Sequence, residues 1–194
     1  IRSELKESYF LEFVKQLGIK PNTSKLSYLQ TLIYIFCYSK IIGINKTLKY
    51  EYCVVDEGQD FSVLEYLILG KLVINGRFCI LGDLNQSYQT DGLSSWDEIK
   101  EVIREAKQAN VYELTTNYRS TKPIIDLANK IISPYTKNYL PKSINRRGSE
   151  PLISIVASEE QLLNNFKAHL DQDLVDLNKS IGIICLTTDL FDKA

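Results

Sequence analysis

At 194 residues, 44% hydrophobic and 24% charged, the chain has an ordinary globular composition, with room for one sizeable domain or one domain and the start of another. Its net charge of −1 excludes a global basic field, so any nucleic-acid contact has to come from local groups. No signal-peptide pattern is visible and no apolar run approaches the ~18 residues of a membrane span, so no membrane partner is expected and the setting is read as cytoplasmic.

The first 48 residues read as helical. Leu5, Tyr9, Phe13 and Leu17 recur at every fourth position and Gly18 closes the pattern. Asn22, Thr23 and Ser24 offer N-caps for a second helix, roughly 24–42, which Gly43 ends. From residue 50 the pattern changes to strand–helix alternation. YEYCVV at 50–55 is a predicted strand, and Ser62 caps a predicted helix carrying Leu64, Leu67, Ile68 and Leu72. Asn75-Gly76 then turns the chain into the strand RFCIL at 77–81. A helix over about 96–107 places Trp96, Ile99, Val102, Ile103 and Ala106 on one face, which makes Trp96 a core residue. VYELT at 111–115 is a third predicted strand, and a helix over about 121–132 stops at Ser133-Pro134.

Apolar strands alternating with helices predict an α/β fold with a mostly parallel sheet. Residues 134–150 read as a linker containing Lys137, Lys142, Arg146 and Arg147, a solvated face or a set of phosphate contacts. Beyond it, LISIV at 152–156, a helix near 159–170 and IGIICL at 181–186 predict the opening of a second α/β unit. His169 belongs on an exposed helical surface. Cys37, Cys53, Cys79 and Cys185 lack CxxC spacing, which fits reduced thiols rather than a zinc site.

Three strand ends carry the chemistry: VVDEGQD at 54–60, ILGDLNQ at 80–86 and ELTTNYRS at 113–120. Ligands of open parallel sheets bind beyond the carboxyl ends of the strands, so these turns could face one crevice. Their groups suit phosphoryl transfer, where a protein mainly positions reactants and neutralises charge. Asp56 can hold Mg²⁺ through water, because that ion prefers carboxylate and water oxygens. Glu57 can orient or deprotonate an attacking water. Gln86 can bond both that water and a terminal phosphate oxygen. Arg119 can stabilise the charge of the transition state, a contribution of roughly 10³–10⁵ in rate in related systems.

The three segments resemble motifs II, III and IV of superfamily 1 helicases of the UvrD/Rep type, with patterns DEAQD, GDxxQ and NYRS, over about residues 50–135. The resemblance implies a RecA-like P-loop NTPase fold with a parallel sheet. In that fold ATP lies between two lobes, and single-stranded or duplex DNA is the partner. It makes Asp56 the magnesium-associated acid of the Walker B segment, Glu57 the catalytic base and Gln86 the γ-phosphate-sensing glutamine. Tyr118 would stack on adenine and Arg119 would reach the γ-phosphate. Gln59 and Asp60 would link the nucleotide site to the neighbouring motif. Under this reading residues 1–133 are the later part of the first lobe, 134–150 the hinge, and 151–194 the start of the second.

The chain departs from the family pattern in places. Gly58 stands where alanine is commoner, read as a small change. The GxGKT phosphate loop and motifs V and VI are absent, so the chain is expected to be an inactive part of a larger Mg²⁺-dependent ATPase. After motif III the sequence SYQTDGLSSWDEI, with Tyr88 and Trp96, and LSYLQTLIYI upstream resemble the HelD (helicase IV-like) branch. That branch implies a second reading, an ATPase that remodels RNA polymerase. A third is a catalytically silent nucleotide-binding or scaffold module.

Overall fold

Helix α1 (Arg2–Gln16) ends because Gly18 takes φ of 75°, a left-handed conformation that glycine adopts without steric cost. The Gly18 N–H then bonds the Lys15 carbonyl and the Ile19 N–H bonds the Val14 carbonyl, both at 3.0 Å, which reverses the chain. The computed structural model describes residues 2–20, 25–87, 89, 91–136, 140–173, 182 and 184. Helix α2 (Tyr28–Ile41) packs on α1 through Phe10, Val14, Ile19 and Cys37, all buried. The Phe10 ring meets Tyr34 and Tyr38 edge-on, with centroids 5.0 and 5.4 Å apart. Leu5, Tyr9, Phe13 and Leu17, whose spacing marks the helix, lie on its exposed side. The α2 cap is Ser27, which exchanges hydrogen bonds with Gln30 in a reciprocal box, so the helix starts later than expected. Residues 22–24 lie outside the described residues.

Strands β1 (Cys53–Val55) and β2 (Phe78–Ile80) pair in parallel, Cys53 opposite Phe78 and Val55 opposite Ile80. Between them runs α3 (Val63–Leu72), capped as expected by Ser62, whose N–H and hydroxyl both donate to Glu65. The Tyr28 hydroxyl donates to the same carboxylate and so ties α2 to α3. Burial pushes the Glu65 carboxyl up, but the bonds from Tyr28 and Ser62 outweigh it and hold the group below its ordinary range. The Asn75-Gly76 turn forms with both residues left-handed, at φ of 55° and 60°. A Cβ on Gly76 would lie 2.5 Å from the Glu105 Cβ.

The second core lies against one face of the β1–β2 pair. Tyr66, Leu93, Ile99 and Ile103 are its buried members, with Phe61, Phe78, Ile80 and Trp96 packed around them. Trp96 is therefore a core residue, as its spacing implied. The helix expected over about 96–107 is broken. Helix α4 (Asp97–Val102) ends where Ile103 turns extended to reach the core, and a 3₁₀ segment (Arg104–Gln108) follows. Val54, on the opposite face of β1, is exposed, as are Tyr50 and Tyr52 in the segment leading into the strand.

Residues 111–115 form no strand, and Val111, Tyr112 and Leu114 are exposed. The ladder begins later: β3 (Thr116–Asn117) pairs in parallel with β4 (Lys142–Ser143), apart from the first sheet. Among the described residues the expected single sheet is thus two short parallel pairs within a mixed α/β chain. Helix α5 (Lys122–Ile132) begins with Pro123 in its first turn and ends before Ser133-Pro134, as expected. Residues 152–156 form no strand, and no ladder to them occurs among the described residues. Helix α6 (Glu159–Asp173) follows, with His169 exposed. Residues 137–139, Cys185 and the predicted strand at 181–186, apart from 182 and 184, lie outside the described residues. Among the described residues no helix is long and apolar enough to cross a membrane.

Candidate active site

Val55 is buried at the end of β1, and the chain then turns outward so that Asp56 and Glu57 are exposed. Glu57 sits at φ 50° and ψ 42°, a left-handed conformation costing a residue with a Cβ about 1–2 kcal/mol. Asp56 steadies that turn by accepting the Glu57 N–H at 3.0 Å. The next residues wind into a 3₁₀ turn (Gly58–Asp60) that plugs the sheet end. There the Gly58 N–H bonds the Leu81 carbonyl, and the Leu81 N–H bonds the Val55 carbonyl, both at 2.8 Å. The parallel register therefore carries GDLNQ alongside DEGQD.

Gln59 joins the two segments. Its side chain is buried, with Nε2 donating to Glu57 Oε2 at 2.8 Å and Oε1 accepting the Asp83 N–H at 3.0 Å. Its carbonyl accepts the Leu93 N–H at 3.0 Å. Gly82 has to lack a side chain here, since a Cβ would fall onto the Gln59 Oε1 and 2.9 Å from the Trp96 ring. Asp83 uses both carboxylate oxygens, accepting the Asn85 N–H at 2.9 Å and the Gln86 Nε2 at 2.8 Å. Asp56, Glu57, Asp83 and Gln86 thus share one rim, and Gln59 is the brace beneath it. Asp60 turns inward, its Oδ1 buried and without a hydrogen-bond partner among the described residues.

The third segment has its own local logic. The Asn117 Oδ1 accepts the N–H groups of Arg119 and Ser120, at 3.0 and 2.9 Å, folding NYRS into a tight turn after β3. Tyr118 and Arg119 are exposed, and Arg119 makes no ion pair among the described residues. No described contact joins either of them to Glu57 or Gln86. One link between the halves is the Thr136 hydroxyl beyond α5, which donates to Asn85 Oδ1 of GDLNQ at 2.6 Å. Tyr88 lies outside the described residues.

Gly58 is more constrained than its sequence position suggested. The buried Tyr66 hydroxyl donates to the Gly58 carbonyl at 2.7 Å, and burial pushes that hydroxyl's pKa up. A Cβ on Gly58 would lie 2.6 Å from Ile80 Cγ2 and 2.7 Å from the Tyr66 oxygen. A methyl group here would meet both the Ile80 and the Tyr66 side chains, so alanine does not fit without a shift of the turn or of those neighbours. Gly58→Ala is therefore expected to destabilise by about 1–3 kcal/mol, the usual range for overpacking. A thermal melt of the 194-residue chain checks this, at about 2–4 °C lost per kcal/mol. An unchanged midpoint would mean that the turn relaxes freely. The signal for Tyr66 was available in sequence only as an aromatic among the aliphatic residues of α3.

Both Asp83 oxygens accept a hydrogen bond, whereas Asp56 and Glu57 each use one oxygen and are the more open carboxylates of the rim. Among the described residues no group of three or more His, Cys, Asp or Glu side chains could cage a metal. One or two strand-end carboxylates suit Mg²⁺, which keeps most of its water.

No family model matches the chain. It is similar to the ATP-dependent DNA helicase PcrA of Staphylococcus aureus, 33% identical over 85 residues, which are 43% of this chain and 12% of that protein. It is also similar to the "Probable DNA helicase II homolog" of Rickettsia conorii and of Rickettsia felis, 36% identical over 93 residues, 44% of this chain and 13% of each of those. The chain thus matches only 12–13% of the length of these relatives. Within that stretch, its similarity is to ATP-dependent DNA helicases of the UvrD/Rep kind.

Proposed function

We propose that the chain carries part of the ATP-hydrolysing centre of a superfamily 1 DNA helicase or translocase, whose whole protein couples Mg²⁺-ATP hydrolysis to movement on single-stranded DNA. The observation that carries this reading is the Gln59 brace, which holds the Glu57 carboxylate and the backbone of Asp83 in one rim. A solvated acidic turn would need no buried amide beneath it. The similarity to PcrA and to the helicase II homologues points the same way.

In this reading Glu57 accepts the proton of the attacking water, and Gln59 keeps its carboxylate aimed outward. Gln86 senses the terminal phosphate, which requires its amide to leave Asp83 when nucleotide arrives. Tyr118 offers an exposed ring for adenine, and Arg119 brings positive charge to the transferred phosphoryl group. Asp56 would hold Mg²⁺ through water, and the bound ion would neutralise phosphate charge. Residues 1–133 would then belong to a first RecA-like lobe, 134–150 to a hinge and 151–194 to a second lobe. The exposed Val54 on the outer face of β1 supports a partial lobe, because parallel sheets are normally covered on both faces.

The test is ATP turnover by the full-length protein with and without single-stranded DNA. Stimulation by DNA is expected. Turnover indifferent to DNA would move the target to a protein such as RNA polymerase, and no turnover at all would leave the silent module.

A further inference from the structure

Arg146 was one cation among several in a polar stretch, yet its surroundings set it apart. The strap 142–148 lies along the NYRS turn and the start of α5 and meets them at four points. Strand β4 pairs with β3, placing the Lys142 N–H on the Thr115 carbonyl at 2.9 Å and the Ile144 N–H on the Asn117 carbonyl at 3.3 Å. The Arg146 carbonyl accepts the Lys122 N–H at 2.9 Å and so caps α5, whose N-cap residue Thr121 supplies no side-chain bond. Gly148 lies against Thr121, since a Cβ there would come within 2.5 Å of that side chain. The Thr121 hydroxyl is buried without a partner among the described residues. The fourth point is the side chain itself: Arg146 Nη1 donates to the Arg119 carbonyl at 2.9 Å.

A solvated cation does not account for this placement. A positive group at a helix N-terminus is slightly disfavoured by the helix dipole, so helix electrostatics do not draw Arg146 there. Its guanidinium instead fixes the backbone of Arg119, whose own guanidinium is exposed and makes no ion pair among the described residues. With Asn117 holding the Arg119 N–H and Arg146 holding the Arg119 carbonyl, both peptide groups of Arg119 are pinned while its side chain stays available.

Resting on the ATPase reading above, we infer that Arg146 is a positioning residue for Arg119: it clamps the NYRS turn so that the Arg119 guanidinium meets the phosphoryl group already oriented. Removing the clamp leaves the charge in place but widens the range of its approach.

Steady-state ATP turnover of the full-length protein tests this with Arg146→Ala, Arg146→Lys, Arg119→Ala and the Arg119→Ala/Arg146→Ala pair. Arg146→Ala is expected to lower kcat by about three- to tenfold, with KM for ATP within about twofold, as for an interaction felt only in the transition state. Arg146→Lys, which keeps a charged N–H donor without the planar fork, is expected to recover part of the loss. In the Arg119→Ala background the second substitution is expected to cost nothing further, because the group it positions is gone. Hydrogen exchange at the Arg119 and Ser120 amides is expected to quicken in Arg146→Ala. Wild-type turnover by Arg146→Ala, or a loss that multiplies that of Arg119→Ala, would overturn the positioning role while leaving the ATPase reading intact. Normal turnover by Arg119→Ala alone would overturn the arginine's assignment and the clamp's purpose together.

Discussion

Replacing Glu57 by glutamine in the full-length protein is expected to leave ATP binding within about twofold and to lower turnover by about 10²–10⁴-fold, the usual worth of a positioned general base. The geometry makes this substitution unusually clean. Glu57 is exposed and bonded through Oε2 to the Gln59 amide, and a glutamine carbonyl of the same shape can accept that bond, though without the charge that strengthens it. The left-handed backbone at φ 50° strains both side chains alike, and the Asp56 bond to the residue 57 N–H is unaffected. Shape, fold and brace are retained, and only the capacity to take a proton is lost. Titration with a fluorescent ATP analogue beside single-turnover hydrolysis separates binding from chemistry. Normal hydrolysis by Glu57→Gln would remove Glu57 from the base role, whatever the fate of the rest of the site. Lost binding together with lost turnover would point to a ligand-holding role instead.

How much of this was legible in sequence differs from element to element. The β1–α3–β2 unit could be read because its signals are local: an apolar run, the Ser62–Glu65 box, and Asn75-Gly76 supplying two left-handed residues in succession. Helix α5 was equally open, with Pro123 in its first turn and Ser133-Pro134 at its end. The third strand was not. VYELT has strand composition, but pairing is a contract between distant backbones, and the polar Thr116 and Asn117 hold the ladder to Lys142 and Ser143. Helix α4 ended early for a related reason, since burying Ile103 outweighed continuing the helix. At the site, the residue types marked the three turns, and the resemblance assigned Gln59 a linking role. The form of that link, one side chain bonded to Glu57 and to the Asp83 backbone, needs two segments brought side by side by the register of β1 on β2. The Tyr66 contact with Gly58 and the Arg146 clamp were hidden likewise, because each joins residues whose spacing follows no period.

Arg119→Ala in the full-length protein is expected to lower kcat on the order of 10³–10⁵-fold, the range for an arginine that stabilises phosphoryl-transfer charge. The fold should not notice. Arg119 is exposed, makes no ion pair among the described residues, and is held through its peptide N–H and carbonyl, which alanine also carries. The melting midpoint is therefore expected to stay within about 1–2 °C, since exposed substitutions away from special features stay within about 0.5 kcal/mol. Lysine is the sharper control. It restores the charge as a point but not the planar fork that grips two phosphate oxygens, so Arg119→Lys is expected to recover only part of the rate. Alanine and lysine variants equally slow would say that the fork, rather than the charge, is what the transition state uses. A wild-type rate for Arg119→Ala, with the midpoint unchanged, would place Arg119 outside the chemistry and leave the Glu57 rim to be completed by an arginine from elsewhere in the protein.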